Sequence, residues 1–106
     1  MCLDIVRFVD ECQSGIVMCE FRDAEGRLHT IIDKIPVFTG KLLTQASLYP
    51  QAGSVRCEVL NNVQDSADHT LTRITIARPD HIESTVGVSE FVVLDSQVLN
   101  EADCMR

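Results

Sequence analysis

The sequence predicts a mainly β domain: a small antiparallel barrel of about six strands, OB-like or SH3-like, with one short helix between strands three and four. Three observations carry this. A β-hairpin pattern runs from Val17 to Ile32, shorter stretches with a side-chain period of two recur elsewhere, and Gly or Pro breaks separate them. The order of strands and helix is that of an OB-fold with one strand added. A compact sandwich gives almost the same string.

Cys2 to Val9 is a β-leaning opener without clean alternation, and Glu11 to Gly15 is a polar break. In the hairpin that follows, Asp23-Ala24-Glu25-Gly26 fits a type I turn, with Asp at its first position and Gly at its last. Setting Asp23 against Gly26 places Phe21 opposite Leu28, Cys19 opposite Thr30 and Val17 opposite Ile32 on the inner face. The outer face then carries Met18 beside Ile31, Glu20 beside His29 and Arg22 beside Arg27. The two arginines speak against this pairing. A shift that sets Asp23 against Arg27, through a three-residue loop with a Gly bulge, relieves them but scrambles the apolar face. The first register is therefore the expectation.

Ile35-Pro36 forces an extended step, after which Thr39 to Ala46 reads as about two helical turns capped by Thr39 and ended by Tyr49-Pro50. Ser54 to Asn61 shows the clearest half-buried alternation, with Val55, Cys57 and Val59 inward and Ser54, Arg56 and Glu58 outward. A polar loop, Asn62 to Asp68, leads to a Thr- and Ile-rich strand from His69 to Ala77, closed by Arg78-Pro79. Asp80 to Gly87 is a longer connection. Val88 to Leu94 is the last strand, with Phe91 and Val93 on one side, and Asp95 to Leu99 continues as a helical turn or short edge.

At 106 residues, without repeat, low-complexity tract or linker, the chain suits a single domain. Its 45% apolar and 24% charged residues lie near the globular average, which speaks against disorder. Nine Lys and Arg against sixteen Asp and Glu leave a formal charge of -7. That balance disfavours nucleic acid and anionic lipid, because phosphate binding is driven by cations displacing counterions. A cationic protein partner fits it better. Met1-Cys2-Leu3-Asp4-Ile5 does not resemble a secretory signal, and no apolar run is long enough to span a bilayer, so a cytoplasmic location is expected. Five cysteines make an odd count, and Cys19 and Cys57 fall on inward strand positions, so they read as reduced thiols serving as small hydrophobes.

No GxSxG, Gly-rich phosphate loop, CxxC or HExxH occurs. The sequence thus favours a binding protein over an enzyme, and indicates no catalytic, cofactor or metal site. Glu20 and His29, adjacent in the expected register, read as a surface pair more readily than as an acid-base pair. His81 and Glu83, with Ser84 and Thr85, sit in a loop long enough to bind a partner. Asp65, Asp68 and His69 lack a calcium-loop pattern and read as a turn.

Asp33-Lys34-Ile35-Pro36-Val37 and Tyr49-Pro50-Gln51-Ala52-Gly53 bracket the expected helix. With these strings, a Cys-containing strand and a late Phe-containing strand, residues 15 to 95 resemble a group of uncharacterised small bacterial all-β proteins. The resemblance implies one bacterial domain and no activity.

The leading functional expectation is an acidic protein-binding module, an inhibitor or immunity-like partner of a basic protein, contacting it through Glu20, His29, Glu58, His81, Glu83 and Glu90. That reading expects Glu20, Glu58, Glu83 and Glu90 to form one negative surface. The alternative is an OB-like barrel whose groove, lined by His29, Arg56, Arg73 or Tyr49, takes a small ligand or single-stranded nucleic acid. An enzyme built from distant residues would need a deep pocket holding His with a carboxylate or thiol. Self-association is expected, if anywhere, through the Val88 to Leu94 edge.

Overall fold

The computed structural model describes residues 1–11, 15–64 and 70–98. Its strands are β1 (Cys2–Asp10), β2 (Ile16–Arg22), β3 (Leu28–Lys34), β4 (Gln51–Ser54), β5 (Glu58–Gln64), β6 (Thr70–Thr75) and β7 (Glu90–Leu94). They form two antiparallel sheets, one ordered β3-β2-β1-β4 and the other β5-β6-β7. The mainly β expectation holds, while the barrel is replaced by two separate sheets around one shared core.

The β2-β3 hairpin forms where expected, one residue out of the expected register. Arg22 faces Leu28, Phe21 faces His29, Glu20 faces Thr30 and Cys19 faces Ile31. The loop is the three-residue one. The Asp23 amide donates to the Arg27 carbonyl at 2.9 Å, the Gly26 amide donates to the Asp23 carbonyl at 3.0 Å, and Gly26 takes a φ of +81°. This separates Arg22 from Arg27. It also turns Ile31 into the core, where it is fully buried, and leaves Ile32 outside. Val17, Cys19 and Phe21 point inward as expected.

The opener is the centre of its sheet, since β1 pairs with β2 on one side and β4 on the other. Its poor alternation has a physical cause: the register against β2 slips between Ile5 and Arg7 and again between Phe8 and Asp10. Ile5 is fully buried, and its Cδ1 would lie 2.9 Å from a Cβ at Gly53, so the β1-β4 pairing needs a residue without a side chain there.

No helix spans Thr39 to Ala46. The helical element is a single 3-10 turn at Ile35–Val37, started by Pro36. Beyond it Phe38 is fully buried, whereas Leu42 is 98% exposed, so the segment lacks the apolar stripe that would hold a short helix on the core. The Thr39 hydroxyl instead accepts a hydrogen bond from the Lys41 amide at 3.1 Å in a local turn.

The expected strand from Ser54 to Asn61 is two strands in different sheets. After β4 the Val55 amide donates to the Met1 carbonyl at 2.9 Å, and the chain then crosses to β5. Val55 is buried, but Val59, read as inward, is 51% exposed because it lies past this corner and beside a bulge before Asn61. In the second sheet, Ile74 faces Phe91 and Thr72 faces Val93 on the core side. Phe91 and Val93 are buried as expected. Asp95–Gln97 forms the short turn expected there, again 3-10.

Single bonds join the sheets: the Ala24 amide donates to the Val92 carbonyl of β7 and the Thr85 amide to the Thr30 carbonyl of β3, each at 2.9 Å. Within the four-stranded sheet's own connection, the Ser54 amide of β4 donates to the Phe38 carbonyl at 2.9 Å. The β7 edge expected to be open is therefore engaged by the hairpin turn. Cys19 and Cys57 are free, whereas Cys2 is disulfide-bonded. The cluster Asp65, Asp68 and His69 also lies outside the described residues.

Phe38→Ala is expected to destabilise the fold by about 3–5 kcal/mol, and Leu42→Ala by no more than about 0.5 kcal/mol. Urea unfolding of both variants checks the contrast; comparable losses would mean that residues 39–46 pack differently.

Candidate functional site

Alternation along a strand and pairing between strands decide which polar side chains meet. The register shift in the hairpin separates Glu20 from His29. His29 falls on the inner face, its ring 5.2 Å from that of Phe21 and 4.7 Å from that of Phe91. Its Nε2 lies 2.8 Å from Asp23 Oδ2. The other carboxylate oxygen accepts hydrogen bonds from the amides of Glu25 at 2.9 Å and Arg27 at 3.0 Å. The Asp23 side chain is only 8% exposed. Burial works against its ionisation, but the hydrogen bonds from His29 and the two amides outweigh it and hold the carboxyl below its usual range. The cluster is a structural knot at the turn and leaves His29 no free carboxylate partner on β2.

The outer face of the four-stranded sheet has a different character. Asp4 of β1 stands directly opposite Glu20 of β2, with Ala52 of β4 beside Asp4 and Thr30 of β3 beside Glu20. Two carboxylates on adjacent strands at directly opposed positions are about 5 Å apart at Cβ and destabilise the sheet unless a cation joins them. Among the described residues neither forms an ion pair. Both line two adjoining shallow clefts, of about 450 and 280 Å³, which also share Phe21, Arg22 and Gln97. Arg22 also lines both clefts; it donates to the Gly26 carbonyl at 2.8 Å and forms no ion pair with either acid. Gln97 is fixed by its bond to the Arg22 carbonyl at 2.7 Å.

The other expected contact residues are scattered. Glu58 and Glu90 lie in one cross-strand row on either side of Thr75, and Glu58 is paired with Arg78 at 2.6 Å. Glu83 is exposed in the loop before β7. His81, at a φ of +58°, lines an open cleft of about 550 Å³ with Asp33, Pro36, Val37, Arg56 and Asp80. Arg56 and Asp80 form a two-pronged ion pair at 2.9 and 2.5 Å. The acids thus divide between the two sheets and a loop.

The residues expected to line a ligand groove lie on several different elements. His29 is packed inside, Arg56 is held by Asp80, Arg73 lies on β6, and the Tyr49 hydroxyl donates to the Thr44 carbonyl at 2.8 Å. Among the described residues no group of three His, Cys, Asp or Glu side chains is placed to hold a metal ion, and no helix is long and apolar enough to cross a membrane. The buried Cys19 thiol is pushed far above its usual range, first by burial and then by the negative charges of Asp33 and Asp4.

Sequence reasoning picked out Glu20 and missed Asp4. The signal was present: Asp4 sits between Leu3 and Ile5 as Glu20 sits between Cys19 and Phe21, each an acid at an outward position flanked by inward apolar residues. The missing piece was that β1 and β2 are neighbours in this register. Compared with family models, curated proteins and solved structures, the chain matches none.

Because Asp23 titrates lower in the folded protein than its ordinary 3.8, the unfolded chain binds more protons across that interval. Its contribution is present above the ordinary value and is lost as pH falls through the folded one. Asp23→Asn is expected to cost about 1–3 kcal/mol at neutral pH and to flatten the acid limb of the stability profile. Urea unfolding from about pH 7 to about pH 3 measures both, and equally steep limbs would show that the carboxyl contributes nothing. In the native protein, iodoacetamide followed by peptide mapping should modify Cys57 well before Cys19. Equal labelling would contradict the buried placement of Cys19.

Proposed function

We propose that this protein is a non-enzymatic binding module that docks a cationic segment of a partner protein on the outer face of its four-stranded sheet. The carrying observation is the direct opposition of Asp4 and Glu20 with no cation among the described residues joining them. A pair of this kind costs the isolated domain stability, and a Lys or Arg from outside reverses the sign of that term. The two clefts flanking the pair give such a side chain room beside Phe21 and Gln97, where its aliphatic stem covers apolar surface while its head meets the carboxylates. The net charge of -7 adds attraction at long range and speeds encounter with a basic protein. A compact domain that covers the basic site of another protein acts as an inhibitor or immunity-like partner, and this is the role we assign.

The double variant Asp4→Asn/Glu20→Gln separates binding from folding. It is expected to be as stable as the natural chain, or more stable by about 0.2–1 kcal/mol, because it removes a repulsion. The test immobilises the natural chain, this variant and Glu90→Gln, and identifies what each retains from native lysate at about 0.05 M and about 0.5 M salt. Basic proteins held at low salt by the natural chain and Glu90→Gln, and lost from the double variant, support the assignment. Retention by all three chains alike, or of no basic protein by any, rejects it.

A further inference from the structure

A sheet with unpaired edges is open to further strands, and this chain treats its edges unequally. The outer edges of β3, β4 and β7 each exchange a backbone bond with a neighbouring loop, through Thr85, Phe38 and Ala24 respectively. Among the described residues no such bond reaches the outer edge of β5. The strand also lacks most of the usual protections: from Val59 to Gln64 it has no charged residue and no Pro, and its one irregularity is the bulge between Val59 and Asn61.

We propose that β5 is the strand through which two copies of this chain pair, antiparallel and edge to edge, joining their three-stranded sheets into one continuous sheet. Alternation fixes which backbone groups are offered. The Val92 carbonyl points away from β6, so Arg73, opposite Val92, turns its backbone groups toward β5 and meets those of Asn61. Asn62 and Gln64 therefore present their N–H and C=O groups outward, the Asn62 carbonyl meeting only the exposed Asn61 side-chain amide at 3.4 Å, a long contact that a pairing strand would replace.

Strand chemistry selects a second copy over a basic partner. Between Val59 and Gln64 there is no acid for a cationic chain to find, and no charge for a second copy to oppose. The carboxamides of Asn61, Asn62 and Gln64 both donate and accept, so they complement their own kind across a two-fold axis. Antiparallel pairing carries the two Glu58 side chains to opposite ends of the contact, each toward the Gln64 end of the other copy. Elsewhere the like net charges of the copies are screened over about 8 Å at physiological salt. Val59, half exposed at this edge, supplies apolar area to cover.

The experiment is light scattering on the full chain at about 100 μM, a concentration suited to a small interface. Twice the 11.8 kDa chain mass is expected. Asn62→Pro removes only an outward donor, so it should keep the native far-ultraviolet dichroism and raise the dissociation constant at least about ten-fold. Asn62→Ala, which keeps the N–H, should remain dimeric. Asn62→Lys, which sets like charges face to face, provides a second disrupting variant should the proline variant unfold. Asp4→Asn/Glu20→Gln should also remain dimeric, which keeps this test apart from that of the acidic face. A monomeric natural chain overturns the proposal, whether its edge is covered by its own chain or reserved for another protein. A dimer that survives Asn62→Lys with the fold intact overturns it as well.

Discussion

The Asp23 carboxylate holds the rest of the architecture in place. By accepting from the Glu25 and Arg27 amides and from His29, it selects a three-residue loop over a two-residue one and so sets the pairing of every residue in the hairpin. A slip of one position would turn Ile31 out to water and bring Ile32 in. It would also take His29 from between Phe21 and Phe91, where an edge-to-face contact at 5.0 Å between the two phenyl rings spans the sheets. The same loop aims the Ala24 amide at β7. One turn therefore fixes both a register and a junction between sheets.

This dependence explains what was legible in the sequence. The hairpin's position, its inward Val17, Cys19 and Phe21, and the buried Phe91 and Val93 follow from a period of two, a local property of a strand. The register of β3 was harder, because Ile31 and Ile32 are adjacent and either fits an apolar slot. The informative signal was electrostatic: the Arg22 and Arg27 repulsion in the expected pairing, and its relief by Asp23 in the other. Where the pattern continues through a corner, as from Val55 to Val59, periodicity cannot show that the strand has changed sheets. Nor does it show which strands are neighbours, which is why a barrel was expected and Asp4 was overlooked. Thr39 to Ala46 has helix-compatible residues, yet only Leu43 among them is a buried apolar side chain, too little packing to hold a helix.

The acids also separate by what surrounds them. Asp23, Asp80 and Glu58 each have a cationic partner within the chain, at Arg27, Arg56 and Arg78. Those pairs tie turns and strands together, and their charge is largely spent. Asp4 and Glu20 differ because no such partner stands beside them among the described residues and the geometry brings them together. A net charge of -7 alone describes solubility and long-range steering; a like-charge pair at one cross-strand position describes a location.

Small domains have little stability to spare, so a repulsive pair in the middle of a sheet is informative in proportion to how easily uncharged residues would replace it. Glu20 faces Thr30 on its other side, and β1 and β2 are the two central strands of their sheet, where Asn, Gln or Thr would fit the outer face without charge. The β1-β2 pairing does not need the carboxylates, since the inward Leu3, Ile5, Cys19 and Phe21 already fix it. Residues that weaken the free fold while leaving its specification unchanged are what the proposed docking face rests on. In the proposed complex a guanidinium or ammonium between Asp4 and Glu20 would turn a local repulsion into two charge-assisted hydrogen bonds.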